Sequence, residues 1–143
     1  MNDTIYNTAS VEETYAAGRE IGAGLGAGDC LALLGSLGAG KTAITRGIAE
    51  GYGADPSNVS SPTYVLCHQY PAGERALYHL DLYRMTSADE ELEDIGLADF
   101  LQTGAVVIEW ANLASRTLPH PRWELTIDIT GEQTRTLTLR RIE

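Results

Sequence analysis

Gly35-Ser36-Leu37-Gly38-Ala39-Gly40-Lys41-Thr42 is the stretch whose reading decides the fold. It fits G-x-x-x-x-G-K-[ST], a glycine-rich turn that joins a strand to a helix and cradles phosphate. The flanking residues supply that context. Cys30-Leu31-Ala32-Leu33-Leu34 is an unbroken apolar run after Gly28-Asp29, as expected of a strand buried on both faces of a parallel sheet. From Thr42 to Gly51, Ile44, Ile48 and Ala49 recur at helical spacing, with Gly51 and Gly53 as stop signals.

The chemistry follows from this geometry. Gly35, Gly38 and Gly40 let successive backbone N–H groups turn inward as a nest for phosphate oxygens. The positive end of the following helix dipole points at the same spot. Gly38, Ala39, Gly40, Lys41, Thr42 and Ala43 are therefore the expected nucleotide-binding segment. Lys41 would reach the β- and γ-phosphates, and the Thr42 hydroxyl would bind Mg²⁺. The chain has ten basic residues, and Lys41 is its only lysine. Arginine serves everywhere else, so lysine is kept where a compact point charge is wanted. The competing reading is an ordinary glycine-rich turn before a helix.

At 143 residues the chain is expected to form one domain, 1–143, able to bury about two-thirds of its unfolded surface. No run of 18 apolar residues and no basic leader with an apolar core is present. Membrane spanning and secretion are not expected, which leaves the cytoplasm. Cys30 and Cys67 lack metal or redox spacing and read as buried thiols. The formal charge is −10. With no basic stripe to displace counterions, the chain would meet nucleic acid only through a partner.

Outward from the phosphate loop, Ser10-Val11-Glu12-Glu13 is a capping box opening a helix with Val11, Tyr15, Ile21 and Leu25 on its face. Thr63 to Tyr70 and Ala76 to Tyr83 read as two antiparallel strands around a Pro71–Arg75 turn. Period two puts Tyr78, Leu80 and Leu82 on one face and Leu77, His79, Asp81 and Tyr83 on the other. Ser87-Ala88-Asp89-Glu90 is a second capping box, with Gly96 as the stop and Leu97, Phe100 and Leu101 on a further turn. The acidic run Asp89 to Asp94 reads as a solvated helix face or a partner surface. Ala105-Val106-Val107-Ile108 is the second unbroken apolar strand, and Trp123–Ile129 with Thr134–Ile142 forms a closing hairpin.

A phosphate-loop enzyme needs an acidic group near its metal, usually at the end of an apolar strand beside the loop's own. Glu109 follows Val106-Val107-Ile108 and fits; otherwise it is a solvated carboxylate. Asp81 would orient the attacking water or support the metal from behind. Its alternative is a salt bridge to Arg84 or Arg46. Lys41, Asp81 and Glu109 are thus the candidate catalytic residues, with Thr42 and Glu109 on the metal. Thr63 would contact the γ-phosphate or metal, or form a simple Ser/Thr turn. His79 would hydrogen-bond or pack, since no His/Cys cluster accompanies it to hold a metal. Trp110 is a core residue or an adenine platform.

Leu37–Thr42, Arg46-Gly47, Ser61-Pro62-Thr63-Tyr64, His79-Leu80-Asp81-Leu82-Tyr83-Arg84, Glu90-Glu91-Leu92 with Gly96, and Glu109-Trp110 together resemble the bacterial TsaE family in order and spacing. Those small ATPases are needed to make N6-threonylcarbamoyladenosine beside the anticodon of tRNAs. The resemblance spans roughly Thr14 to Arg135. It implies a phosphate-loop α/β fold, a three-layer sandwich whose mixed sheet is parallel at its centre and carries antiparallel hairpins. It further implies ATP/ADP and Mg²⁺ as ligands and assembly with TsaD-like and TsaB-like subunits. Contact with tRNA would be indirect, and no stable homo-oligomer is implied. Thr42 and Glu109 would bind the metal, and Asp81 would matter for hydrolysis. Thr14 matches a threonine placed to touch the nucleotide's edge, and Arg135 a late arginine that approaches it. Ser36 departs from an acidic residue at a position that offers mainly its backbone, and the Gly131–Arg135 turn departs in spacing. Arg46, Arg84 and Arg135 are candidates for an arginine finger. A small-metabolite kinase and a non-hydrolysing nucleotide switch are the competing functions. The kinase lacks a segment long enough for a lid.

Overall fold

The computed structural model describes residues 1–35, 41–57, 67–81, 96–109 and 118–143, with only the backbone of Lys41, Thr42 and Asp81. Gly38–Gly40, Thr63, Arg84, the second capping box, the acidic run and Trp110 therefore lie outside the described residues.

A seven-stranded mixed sheet runs in the order β1-β7-β6-β2-β5-β4-β3. Its strands are β1 (Thr4–Thr8), β2 (Cys30–Gly35), β3 (Cys67–Ala72), β4 (Arg75–Asp81), β5 (Gly104–Glu109), β6 (Arg122–Ile129) and β7 (Arg135–Ile142). The central four, β6-β2-β5-β4, are mutually parallel. The flanking pairs β6–β7, β1–β7 and β3–β4 are antiparallel. Three helices are described: α1 (Val11–Gly24), α2 (Lys41–Tyr52) and α3 (Leu97–Thr103).

The two unbroken apolar runs form β2 and β5 at the middle of the sheet. Leu31, Leu33, Val107 and Ala105 point to one face and Cys30, Ala32, Val106 and Ile108 to the other, all at most 1% exposed. The first set packs with Ile21, Ile44 and Ile48 of α1 and α2. The second packs with Leu97, Phe100 and Leu101 of α3. Both faces are covered, which is why these strands show no polar alternation. On the α3 side the Phe100 ring stacks on Tyr78 with centroids 4.3 Å apart.

Several local expectations shift. The capping box forms, with Ser10 Oγ accepting from the Glu13 N–H and Glu13 reaching back to the Ala9 N–H. The buried face of α1, however, is Thr14, Ala17, Gly18, Ile21 and Gly22, and Val11 stays exposed. Gly51 does not stop α2; it lies inside the helix, and Gly53, with φ +105°, follows its end. Pro71 and Ala72 belong to β3, and the hairpin turns at Gly73-Glu74 instead. Pro71 is tolerated because β3 is an edge strand. Gly96, with φ +86°, caps the start of α3. Strand β1 had no signal of its own; it forms along the edge of β7.

Helices α1 and α2 meet backbone to backbone. A methyl group at Gly22 would lie 2.1 Å from the Ile48 carbonyl oxygen, and one at Gly51 would lie 2.0 Å from that of Arg19. Gly18 faces Ile44 and Gly47 faces Tyr15 in the same way. These pairings advance together along both chains, so α1 and α2 run in the same direction. Their N-termini share one end of the molecule. Tyr15 on α1 hydrogen-bonds Glu50 on α2 at the solvent edge of the contact.

Candidate functional site

The parallel strands all end on that same side. Gly35 closes β2, Glu109 closes β5 and Asp81 closes β4, with Leu33 in register with Glu109 and Glu109 with Asp81. The next residue described after Gly35 is Lys41, the first residue of α2. Ligands of open α/β sheets bind outside the carboxyl ends of parallel strands, and a helix N-terminus there favours anions. Gly35 has to be glycine: its φ is +91°, and a Cβ would sit 2.5 Å from the Ile127 carbonyl oxygen on β6. The first glycine of the motif thus fixes where the chain leaves the sheet.

Glu109 is wholly buried, on the face covered by α2. The Thr45 hydroxyl, one turn into α2, donates to its Oε1 at 3.4 Å, and His79 Nε2 lies 2.8 Å from the same oxygen. A carboxylate removed from water is costly unless other groups answer its charge. The sequence offered Glu109 as either metal-facing or solvated; the structure removes the solvated alternative. His79 was expected to hydrogen-bond or pack, and it faces Glu109. Thr45 was missed. Its signal was its place one turn beyond Lys41 and Thr42, on their side of the helix. Nearby, burial raises the Tyr70 phenol pKa, with Arg46 opposing and Glu109 reinforcing the shift.

A second cluster lies at the same end of the molecule. Thr14, near the start of α1, and Arg135, the first residue of β7, line one cleft of about 50 Å³ with Val11, Glu132 and Gln133. The Thr14 hydroxyl is 2.7 Å from that of Thr8, which pairs in register with Arg135. Arg135 Nη1 donates to the Thr134 carbonyl at 2.8 Å and the Gly131 carbonyl at 3.1 Å. It therefore braces its own turn.

Among the described residues no group of three His, Cys, Asp or Glu side chains could hold a metal. Mg²⁺ bound alongside phosphates does not need such a cage, since one or two carboxylates with phosphate and water oxygens suffice. An all-oxygen pair of a carboxylate and a threonine hydroxyl is a donor set that suits this ion. Cys30 and Cys67 are buried free thiols, pushed up by burial to about 12 and about 11. Neither is a nucleophile at neutral pH. No described helix is long and apolar enough to cross a membrane.

Three kinds of likeness meet on this chain. The family described as "Threonylcarbamoyl adenosine biosynthesis protein TsaE" matches residues 8–137. The tRNA threonylcarbamoyladenosine biosynthesis protein TsaE of Bacillus subtilis is 39% identical over 139 residues, 96% of this chain and 85% of that protein. Its Streptomyces coelicolor counterpart is 40% identical over 113 residues, 78% of this chain and 76% of its own. The crystal structure of Bacillus subtilis YdiB superposes with a TM-score of 0.77 at 32% identity, covering 99% of this chain and 87% of that one. The chain belongs to the TsaE family.

Proposed function

We propose that this chain is one phosphate-loop domain that binds and hydrolyses ATP in the biosynthesis of tRNA threonylcarbamoyladenosine. The observation that carries the proposal is the buried Glu109 carboxylate at the end of β5, in register with the strand that leads into the phosphate-loop motif. The relatives' names supply the pathway.

In this reading the Gly38–Ala43 segment wraps the phosphates and Lys41 neutralises charge on the β- and γ-oxygens. Thr42 and Glu109 hold Mg²⁺, which when bound would offset negative charge on the phosphate oxygens. Asp81, one strand over, is suited to orient the water that accepts the γ-phosphoryl group. Thr14 and Arg135 border the nucleotide's outer edge, and Thr63 approaches the γ-phosphate. A net charge of −10 suits a subunit that docks on TsaD-like and TsaB-like proteins in the cytoplasm and leaves tRNA to them. An arginine finger completed only in the assembly would supply about 10³–10⁵ in rate, so hydrolysis is slow until partners bind.

The test is ATP turnover by the full chain, alone and with a TsaD–TsaB pair, with GTP as competitor. Stimulation by the pair, abolished by Lys41→Ala and Glu109→Gln, supports the proposal. Equal turnover with and without partners at saturating ATP, or unchanged turnover in both variants, refutes it.

A further inference from the structure

His79 lies within β4, 8% exposed and on the sheet face covered by α2. Its Nε2 approaches Glu109 Oε1 at 2.8 Å, and the Thr45 hydroxyl reaches that same oxygen at 3.4 Å. Two groups from different elements, β4 and the phosphate-loop helix, thus converge on one oxygen of a carboxylate carried by a third, β5. The two atoms are within hydrogen-bond distance, but the ring is not aligned to complete a hydrogen bond in this structure. Nε2 is the ring atom placed to donate to Oε1. A glutamate's terminal torsion is broad when nothing holds it. Two contacts to one oxygen narrow that torsion.

Resting on the ATPase reading above, we propose that His79, assisted by Thr45, is a positioning residue that sets the Glu109 carboxylate for Mg²⁺. The imidazole acts through the glutamate, as carboxylates around metals are commonly oriented by a neighbouring hydrogen-bonding group. Its Nε2 lies 2.8 Å from Oε1 without meeting hydrogen-bond geometry, and neither ring nitrogen has a hydrogen-bond partner among the described residues. Among the described residues, the approach to Glu109 is the ring's close charged contact. Thr45 links the same carboxylate to the helix that begins at Lys41. The orientation of Glu109 is thereby tied to the element that follows the phosphate loop.

The experiment uses the full chain with ADP, and Mn²⁺ as the probe ion. Mn²⁺ affinity of the ADP complex is read by electron paramagnetic resonance, and ADP affinity is measured separately in EDTA. His79→Ala is expected to weaken Mn²⁺ binding by about tenfold or more while ADP affinity in EDTA stays within about twofold. His79→Gln carries an amide N–H at the same bond distance from the backbone and is expected to recover Mn²⁺ affinity to within about threefold of the parent. If His79→Ala does not fold, the glutamine variant decides alone. Parent-like Mn²⁺ affinity in His79→Ala overturns the proposal. So does a folded His79→Gln that binds Mn²⁺ tenfold more weakly than the parent, or ADP affinity in EDTA falling as far as Mn²⁺ affinity. A parent chain that binds no ADP would instead refute the ATPase reading, and this inference with it.

Discussion

Replacing Gly22 by alanine adds one methyl group where α1 and α2 touch. That carbon would sit 2.1 Å from the Ile48 carbonyl oxygen, 2.8 Å from its carbon and 3.0 Å from Cα. All three are backbone atoms, so no side chain can rotate away. Relief requires the helices to part by about 1 Å, which loosens a close-packed interior. The gap would open beside Ile21, Ile44 and Ile48, each fully buried. Overpacking of this kind costs about 1–3 kcal/mol, and alanine's better helix propensity returns at most about 1 kcal/mol. A net loss of about 1–2 kcal/mol is expected, which lowers a urea midpoint by about 0.5–1 M for a slope near 2 kcal/mol/M. Gly24→Ala is the internal control. It lies two residues on in the same helix, and the three atoms nearest its methyl all belong to the Met1 side chain, Sδ closest at 2.8 Å. That flexible chain can move, so Gly24→Ala should be neutral or stabilising by up to about 1 kcal/mol. The two variants make the same chemical change with opposite expected sign. Equal midpoints for Gly22→Ala and Gly24→Ala would refute the claim that backbone contact sets the spacing of α1 and α2.

Gly35→Ala combines a positive φ with a Cβ 2.5 Å from the Ile127 oxygen; a loss of at least about 2 kcal/mol in urea unfolding, with weakened ADP binding, is expected. Ser10→Ala removes the hydroxyl that accepts from the Glu13 N–H and should lower stability by about 1 kcal/mol in the same assay. Burial holds Cys30 and Cys67 protonated, raising them from 9.0 to about 12 and about 11. Because the folded pKa values are raised, that contribution is complete below about pH 9, where the unfolded thiols begin to ionise. It declines from there toward pH 11 by about 1.4 kcal/mol per pH unit for each thiol. Urea midpoints measured across that range should fall less steeply in Cys30→Ala, whatever its stability at neutral pH.

The parts of the fold that could be read from the sequence are those whose signal is local. An unbroken apolar run marks a strand covered on both faces, and β2 and β5 are at most 1% exposed along Cys30–Leu33 and Ala105–Ile108. The strand–motif–helix succession identified the phosphate-loop architecture, and the closing hairpin showed in its alternation. Glu109 stood out because it ends such a run. Elements defined by their neighbours were harder to see. Strand β1 is five residues with only Ile5 and Tyr6 to mark it, and it exists because β7 presents an edge. The inner face of α1 could not be found from large apolar side chains. Glycines make its closest contact, and exposed Val11 imitates a core position. Gly51 looked like a stop, yet it lies inside α2 because the backbone of α1 leaves no room for a side chain there.

Sequence alone determined that a phosphate-loop motif follows a buried strand and precedes a helix, and that an acid ends another buried strand. Those are properties of neighbouring residues, written in composition and period. Only tertiary structure decided that β5 lies beside β2, so that Glu109 stands in register with Leu33 and Asp81 with Glu109. It alone brought His79 and Thr45 to one oxygen of Glu109, and Thr14 to the same cleft as Arg135. Strand order and helix approach depend on which surfaces fit together across long stretches of chain, and no local pattern of residues records that fit.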